Sequence, residues 1–85
     1  MLYSNIAYAI FYAEGFAMSL AKFIKDVRNE LNLSQKQLAE ALNVNFTTIN
    51  RWENDHVTPS NLAKKSFFDL CENNSISIPD ELRKK

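Results

Sequence analysis

Residues 34–54 read SQKQLAEALNVNFTTINRWEN, and this stretch decides the fold. Ser34 followed three positions later by Gln37 forms a capping box, which predicts that a helix begins here. The helix should extend through Leu42 and end at Asn43, because its apolar residues recur three and four positions apart. The first half of the stretch is therefore predicted to be a short, capped helix.

A second short helix follows almost at once. Asn45 can act as its N-cap, and the helix should run from Phe46 to about Asn54. Ile49 and Trp52 lie three positions apart and form its predicted buried pair. Two short helices with a tight connection are the geometry of a helix-turn-helix, in which one helix crosses the phosphates and the next enters the major groove.

Further helices are predicted on both sides of this stretch. Before it, Ser19 can cap a helix whose inward residues should be Leu20, Phe23, Ile24, Val27 and Leu31. After it, Pro59 suits the first position of a helix that should reach Cys71 or Glu72, since proline lacks only an amide hydrogen that the first turn leaves unbonded. The inward residues of that helix should be Leu62, Ala63, Phe67 and Leu70. With a short turn after residue 77, the sequence predicts an all-α, compact four- to five-helix bundle.

The composition describes one ordinary globular domain and excludes several classes of site. The chain has 85 residues, of which 46% are hydrophobic, with one cysteine, one histidine and one glycine. Cys71 and His56 cannot form an intramolecular disulfide or a four-ligand zinc site, and Gly15 alone cannot build a phosphate-binding glycine loop. Cys71 is best interpreted as a small core residue. Since no nucleophile and base are legible together, we expect no enzyme, no catalytic residues, no cofactor and no metal.

The charge balance bears on the choice of partner. Ten basic and ten acidic residues give a formal net charge of zero, whereas nucleic-acid binders often carry a basic excess. Binding depends on where the charges lie. Four cations are expected to share one face, namely Lys36, Arg51, Lys64 and Lys65. Three acidic residues are expected to face away from them, namely Glu30, Asp69 and Glu72.

The first 17 residues differ in composition from the remainder, 18–85, which is predicted to be the helix-turn-helix domain. The segment is rich in aromatic and small residues, lacks a basic start, and its apolar run ends at Glu14, so neither export nor membrane insertion is expected. It is either an extra helix that covers an apolar face or oligomerises, or sequence upstream of a natural start at Met18. The second interpretation is favoured, because Glu14 and Gly15 require purine-rich codons that resemble a ribosome-binding site. A cytoplasmic location is expected.

The longer stretch 31–60, LNLSQKQLAEALNVNFTTINRWENDHVTPS, resembles the Cro/CI (XRE) type of helix-turn-helix, the phage-repressor-like family. The resemblance covers roughly residues 20–70. It implies a lambda-repressor-like bundle of about five helices and sequence-specific binding of double-stranded DNA by a transcriptional regulator. The small residue Ala39 matches a family position that lets the two motif helices approach closely.

The resemblance also implies site residues. Gln35 matches a glutamine that contacts a phosphate, with a solvated first-turn residue as the alternative. The stretch from Asn45 to Arg51 is placed against the major groove, and the base-reading positions hold Phe46, Thr47, Thr48, Asn50 and Arg51. Arginine can bond guanine, asparagine can bond adenine, and a phenylalanine ring or a threonine methyl can contact the thymine methyl.

Some of these side chains have alternative roles that the sequence leaves open. Phe46 could pack on the preceding helix as part of the core, Thr48 could help cap its own helix, and Asn50 could be merely solvated. A structural ion pair is also implied, because Arg28 matches a basic family position near the glutamate that follows the buried tryptophan, here Glu53.

Two residues depart from the family pattern. Asn43 and Asp55 stand where glycine is usual, at sites that tend to need a left-handed backbone. Asn and Asp tolerate that backbone better than other non-glycine residues, at a cost of about 1 kcal/mol. Asp55 also adds a negative charge near the expected phosphates.

Several functions are compatible with this interpretation. The leading one is a repressor, an antitoxin or a restriction-modification controller that binds operator DNA as a homodimer, with a toxin or restriction-modification protein as a further partner. The alternative is a protein-interaction or adaptor module that keeps the fold without strong DNA binding. A membrane-tethered regulator that uses residues 1–17 is a third interpretation, and it is not favoured.

Overall fold

The computed structural model describes residues 19–83. Within that range five helices form and no strand does: α1 Leu20–Glu30, α2 Gln35–Leu42, α3 Phe46–Glu53, α4 Asn61–Asn73 and α5 Asp80–Arg83. The predicted all-α bundle is confirmed. None of these helices is both long enough and apolar enough to cross a bilayer. The interpretations of residues 1–17 and of a start at Met18 fall outside the described residues.

Side-chain caps begin the first two helices as predicted. The Ser19 hydroxyl accepts a hydrogen bond from the Lys22 amide at 3.1 Å. At the start of α2 the Gln37 amide donates to the Ser34 hydroxyl at 3.0 Å, and the Ser34 amide donates to the Gln37 side-chain oxygen at 2.8 Å. Both groups of the capping box are therefore satisfied, which pins the first residue of α2.

The start predicted for α4 was wrong by two residues. Pro59 is buried ahead of the helix, which begins at Asn61 with Ser60 as its N-cap. The Ser60 hydroxyl accepts from the Ala63 amide at 3.2 Å, and this bond satisfies one of the first-turn donors that have no partner within the helix. The helix also continues to Asn73, slightly past the predicted end.

The core lies where α1 to α4 meet. Its buried residues are Phe23, Ile24, Val27, Leu38, Ala39, Ile49, Trp52, Phe67, Cys71, Ile76 and Ile78. Phe23 and Phe67 pack edge to face with ring centroids 5.8 Å apart. The inward position predicted for Leu62 was wrong, because that side chain is 76% exposed. It lies five residues before Phe67, whereas Ala63 lies four before it and so shares its stripe.

The segment after α4 contributes more to the core than the sequence indicated. Ile76 and Ile78 are both buried in it, in the non-helical segment that precedes α5. The Ile76 amide donates to the Cys71 carbonyl at 2.8 Å, which turns the chain back onto the bundle. The exposed Ser77 separates the two isoleucines, so alternate residues of this segment are buried in the core.

Cys71 is a core residue, as predicted. Its thiol is fully buried among apolar side chains, and burial, with a smaller contribution from the nearby Glu72 carboxylate, raises the pKa of the thiol to about 12. The thiol therefore stays protonated and unreactive in the folded domain.

Left-handed residues follow each of the first four helices. Asn32 and Asn43 have φ 58°, and Asp55 and Ser75 have φ 60°. The left-handed backbone predicted at Asn43 and Asp55 is confirmed. At Asn43 it lets the Val44 amide donate to the Ala39 carbonyl at 2.9 Å, so the chain reverses within residues 43–45 before α3 begins.

This geometry predicts opposite effects of glycine at two neighbouring positions. Because Asn43 is left-handed, Asn43→Gly should be more stable to urea than Asn43→Ala by about 1–2 kcal/mol. Ala41 is exposed within α2, so Ala41→Gly should instead cost about 1 kcal/mol. Equal stability of the two variants at position 43 would contradict the left-handed turn.

Candidate nucleic-acid interface

An ion pair holds α3 against α1. The Arg28 Nε donates to Glu53 Oε2 at 2.6 Å, and Nη2 donates to Glu53 Oε1 at 3.1 Å. The arginine side chain is 13% exposed and the glutamate side chain 2% exposed. A third bond, from Arg28 Nη1 to the Leu33 carbonyl at 2.9 Å, ties the same guanidinium to the loop before α2. The pair predicted from the sequence is formed, and it is bidentate.

The hydrogen-bond network extends from this pair to the surface. Gln35, the first residue of α2, donates from Nε2 to Glu53 Oε1 at 3.0 Å. Asn50 of α3 donates from Nδ2 to Gln35 Oε1 at 3.2 Å. The chain Arg28, Glu53, Gln35, Asn50 therefore links three helices through their side chains. The sequence predicted Gln35 and Asn50 as contacts to DNA and gave no signal for the bond between them.

The outer surface of α3 separates into an exposed and a buried side. Ile49 and Trp52 are buried as predicted, whereas Thr47 and Arg51 are exposed and lie four residues apart on one stripe. Thr48 is half-buried on the flank. We call the exposed surface formed by residues 45–47 and 51 the α3 face.

Two residues at the start of α3 also belong to this face. Phe46 is 52% exposed and is not among the residues that pack on the core, which excludes the alternative that it is a core residue. Asn45 takes the N-cap position with an extended backbone, but its side chain makes no capping hydrogen bond. An aromatic ring and an amide thus stand beside Thr47 and Arg51.

The charges are arranged differently from the prediction. Lys65 and Asp69, which were expected on opposite sides, form an i,i+4 ion pair at 3.2 Å, because residues four apart share a helix stripe. Two further exposed pairs join Lys22 to Asp26 and Arg83 to Glu72. Among residues 19–83, the cations that form no ion pair are Lys25, Lys36, Arg51 and Lys64. Two of these, on α2 and α3, belong to the helix-turn-helix itself.

Comparison with known proteins adds one finding. A family model described as helix-turn-helix matches residues 24–63, a range that runs from α1 into the start of α4. The match contains all four members of the hydrogen-bond network and the whole α3 face. No curated protein and no solved structure matches the chain.

The buried pair predicts an asymmetric cost of mutation. Arg28→Ala should lower the free energy of unfolding by about 3–5 kcal/mol, because it leaves the Glu53 carboxylate buried without its cation. Lys65→Ala removes one partner of an exposed pair and should change little that is measurable. Urea titration of both variants makes the comparison. Equal losses would mean that the Arg28 pair contributes no more than a surface contact.

Proposed function

We propose that this chain, a member of the helix-turn-helix family of the Cro/CI (XRE) type, regulates transcription by recognising a specific double-stranded DNA sequence through the α3 face. The observation that carries the proposal is the exposure of Thr47 and Arg51 on a helix whose opposite side is buried and whose orientation is held by the Arg28–Glu53 pair. A groove reader needs this combination of a fixed helix and an exposed polar face.

Each side chain of the α3 face has a chemically suitable target in the major groove. Arg51 forms no ion pair within residues 19–83, and its guanidinium can bond guanine O6 and N7 together. The Thr47 methyl and the Phe46 ring can contact a thymine methyl, and the Asn45 amide can bond a base edge or a phosphate. Thr48 is proposed as a contact at the flank of the site.

Phosphate contacts are proposed at the start of α2. Gln35 donates one amide hydrogen to Glu53, and its nitrogen carries a second that can reach a phosphate oxygen. Lys36, which is exposed in the same first turn, adds a positive charge there. Since the net charge is zero and Asp55 is exposed beside α3, the affinity should be modest and should fall as salt is added.

The proposal extends to assembly and biological role. One α3 spans only a few base pairs, so a homodimer on two related half-sites is the arrangement that supplies specificity. The role is that of a repressor, an antitoxin or a restriction-modification controller acting in the cytoplasm, with a toxin or restriction-modification protein as a further partner. No catalytic step is proposed.

An adaptor function is the second candidate. It is favoured by the zero net charge and by the exposed apolar side chains of Phe46, Val57 and Leu62, which suit a protein partner better than DNA. A pure adaptor would show no salt-dependent binding to duplex DNA, which distinguishes it from a regulator.

Selection from a random duplex pool tests the proposal. The wild-type chain should enrich one sequence, and Arg51→Ala should weaken binding to it by about 1–3 kcal/mol, with a much smaller loss on a duplex altered at the base pair that Arg51 reads. Failure to enrich any sequence, together with the absence of salt dependence, would favour the adaptor.

Lys36→Ala provides the control, since it removes the same charge from a position proposed to contact phosphate. It should weaken all duplexes alike and reduce the slope of affinity against salt by about one. An equal, sequence-independent loss for Arg51→Ala would refute base reading by Arg51.

A further inference from the structure

We propose that Asn50 is a positioning residue, which locks Gln35 and thereby the angle between α2 and α3, and that it reads no base. The inference rests on the proposed function and narrows its site: base reading falls to the α3 face, with Thr47 and Arg51 at its centre. It also changes the role of Asn50 from the one expected of an asparagine on a groove-facing helix.

The first support is the place of Asn50 on α3. It lies three residues before Glu53, so the two side chains share a stripe, and both bond the same Gln35 side chain. Asn50 is half-buried there, whereas Thr47 and Arg51 are exposed. The side chain is thus directed along the contact between α2 and α3, at the edge of the surface that DNA would meet.

The second support is the polarity of the hydrogen bonds. The Glu53 carboxylate already accepts two bonds from Arg28, and an ionised carboxylate accepts only. Gln35 must therefore present its Nε2 to Glu53, which leaves its oxygen facing Asn50. Asn50 must in turn present its Nδ2 as donor. The buried Arg28–Glu53 pair therefore sets the orientation of the Gln35 side-chain amide, and Gln35 in turn sets that of Asn50.

A third support is that, among the described residues, no other side-chain hydrogen bonds join α2 to α3. Within residues 19–83, Gln35 is the α2 residue that bonds α3 side chains, and it does so through Glu53 and Asn50. Without Asn50, the Gln35 amide is held at one end only. The start of α2 and the α3 face then lose their fixed separation, so every contact to DNA weakens together.

A double-mutant cycle on DNA affinity tests the proposal. Wild type, Asn50→Ala, Gln35→Ala and the double variant are titrated with the selected duplex, at a temperature where melts show all four folded. Asn50→Ala should weaken binding about two- to tenfold, the contribution of one hydrogen bond. In the Gln35→Ala background the same change should have little further effect, because the partner that the Asn50 side chain bonds within residues 19–83 is gone.

The sequence preference supplies the second measurement. Selection with Asn50→Ala should return the wild-type sequence with unchanged discrimination at every base pair, whereas selection with Arg51→Ala should lose discrimination at one. Asn54→Ala is the matched control, since this asparagine bonds the Asn50 carbonyl at the end of the same helix and has no hydrogen bond to Gln35 within residues 19–83. In a double-mutant cycle of Asn54→Ala with Gln35→Ala, the two losses of DNA affinity should add.

Each contrary result overturns the proposal in a distinct way. A changed preference with Asn50→Ala would show base reading. Additive losses with an unchanged preference would show an independent phosphate contact. Unchanged affinity would show that Asn50 has no role in binding. If the wild type itself selects no sequence, the proposed function fails first and the inference falls with it.

Discussion

Glu53 carries a carboxylate into the interior at the point where α1, α2 and α3 meet, and a buried charge is tolerated only when it is paired and hydrogen-bonded. Two bonds from Arg28 and one from Gln35 satisfy it. Those donors belong to two other helices. All three hydrogen bonds to the carboxylate therefore form together when α1, α2 and α3 lie in this arrangement. The orientation of the α3 face is thus a consequence of charge satisfaction inside the domain.

Local signals in the sequence accounted for most of the fold. The caps at Ser19 and Ser34 and the buried pair Ile49 and Trp52 were predictable because each depends on residues within one or two helical turns. The bond between Gln35 and Asn50 was not, since it joins residues 15 positions apart whose amides could equally have faced solvent. The burial of Ile76 has the same origin, because the chain reversal after α4 decides it.

The predicted separation of acidic and basic residues was only partly right, because ion pairs between neighbouring side chains were not considered. A formal net charge of zero does not show which cations are free to bind a partner. That depends on which of them form ion pairs with neighbouring side chains. Lys65 is neutralised by Asp69 on its own helix, whereas Arg51 and Lys36 keep their charge on the helix-turn-helix. Few cations are therefore left among residues 19–83 for an electrostatic attraction to a polyanion.

The sealed thiol of Cys71 gives the domain an intrinsic reporter of its own opening. A modifying reagent needs the thiolate, and burial among apolar side chains withholds it while the helices stay packed. The rate of labelling therefore measures how often the bundle opens at its centre, with no engineered cysteine and no background from a second one. Oxidants also need access to the thiolate, so the Cys71 thiol does not respond to redox conditions while the domain is folded.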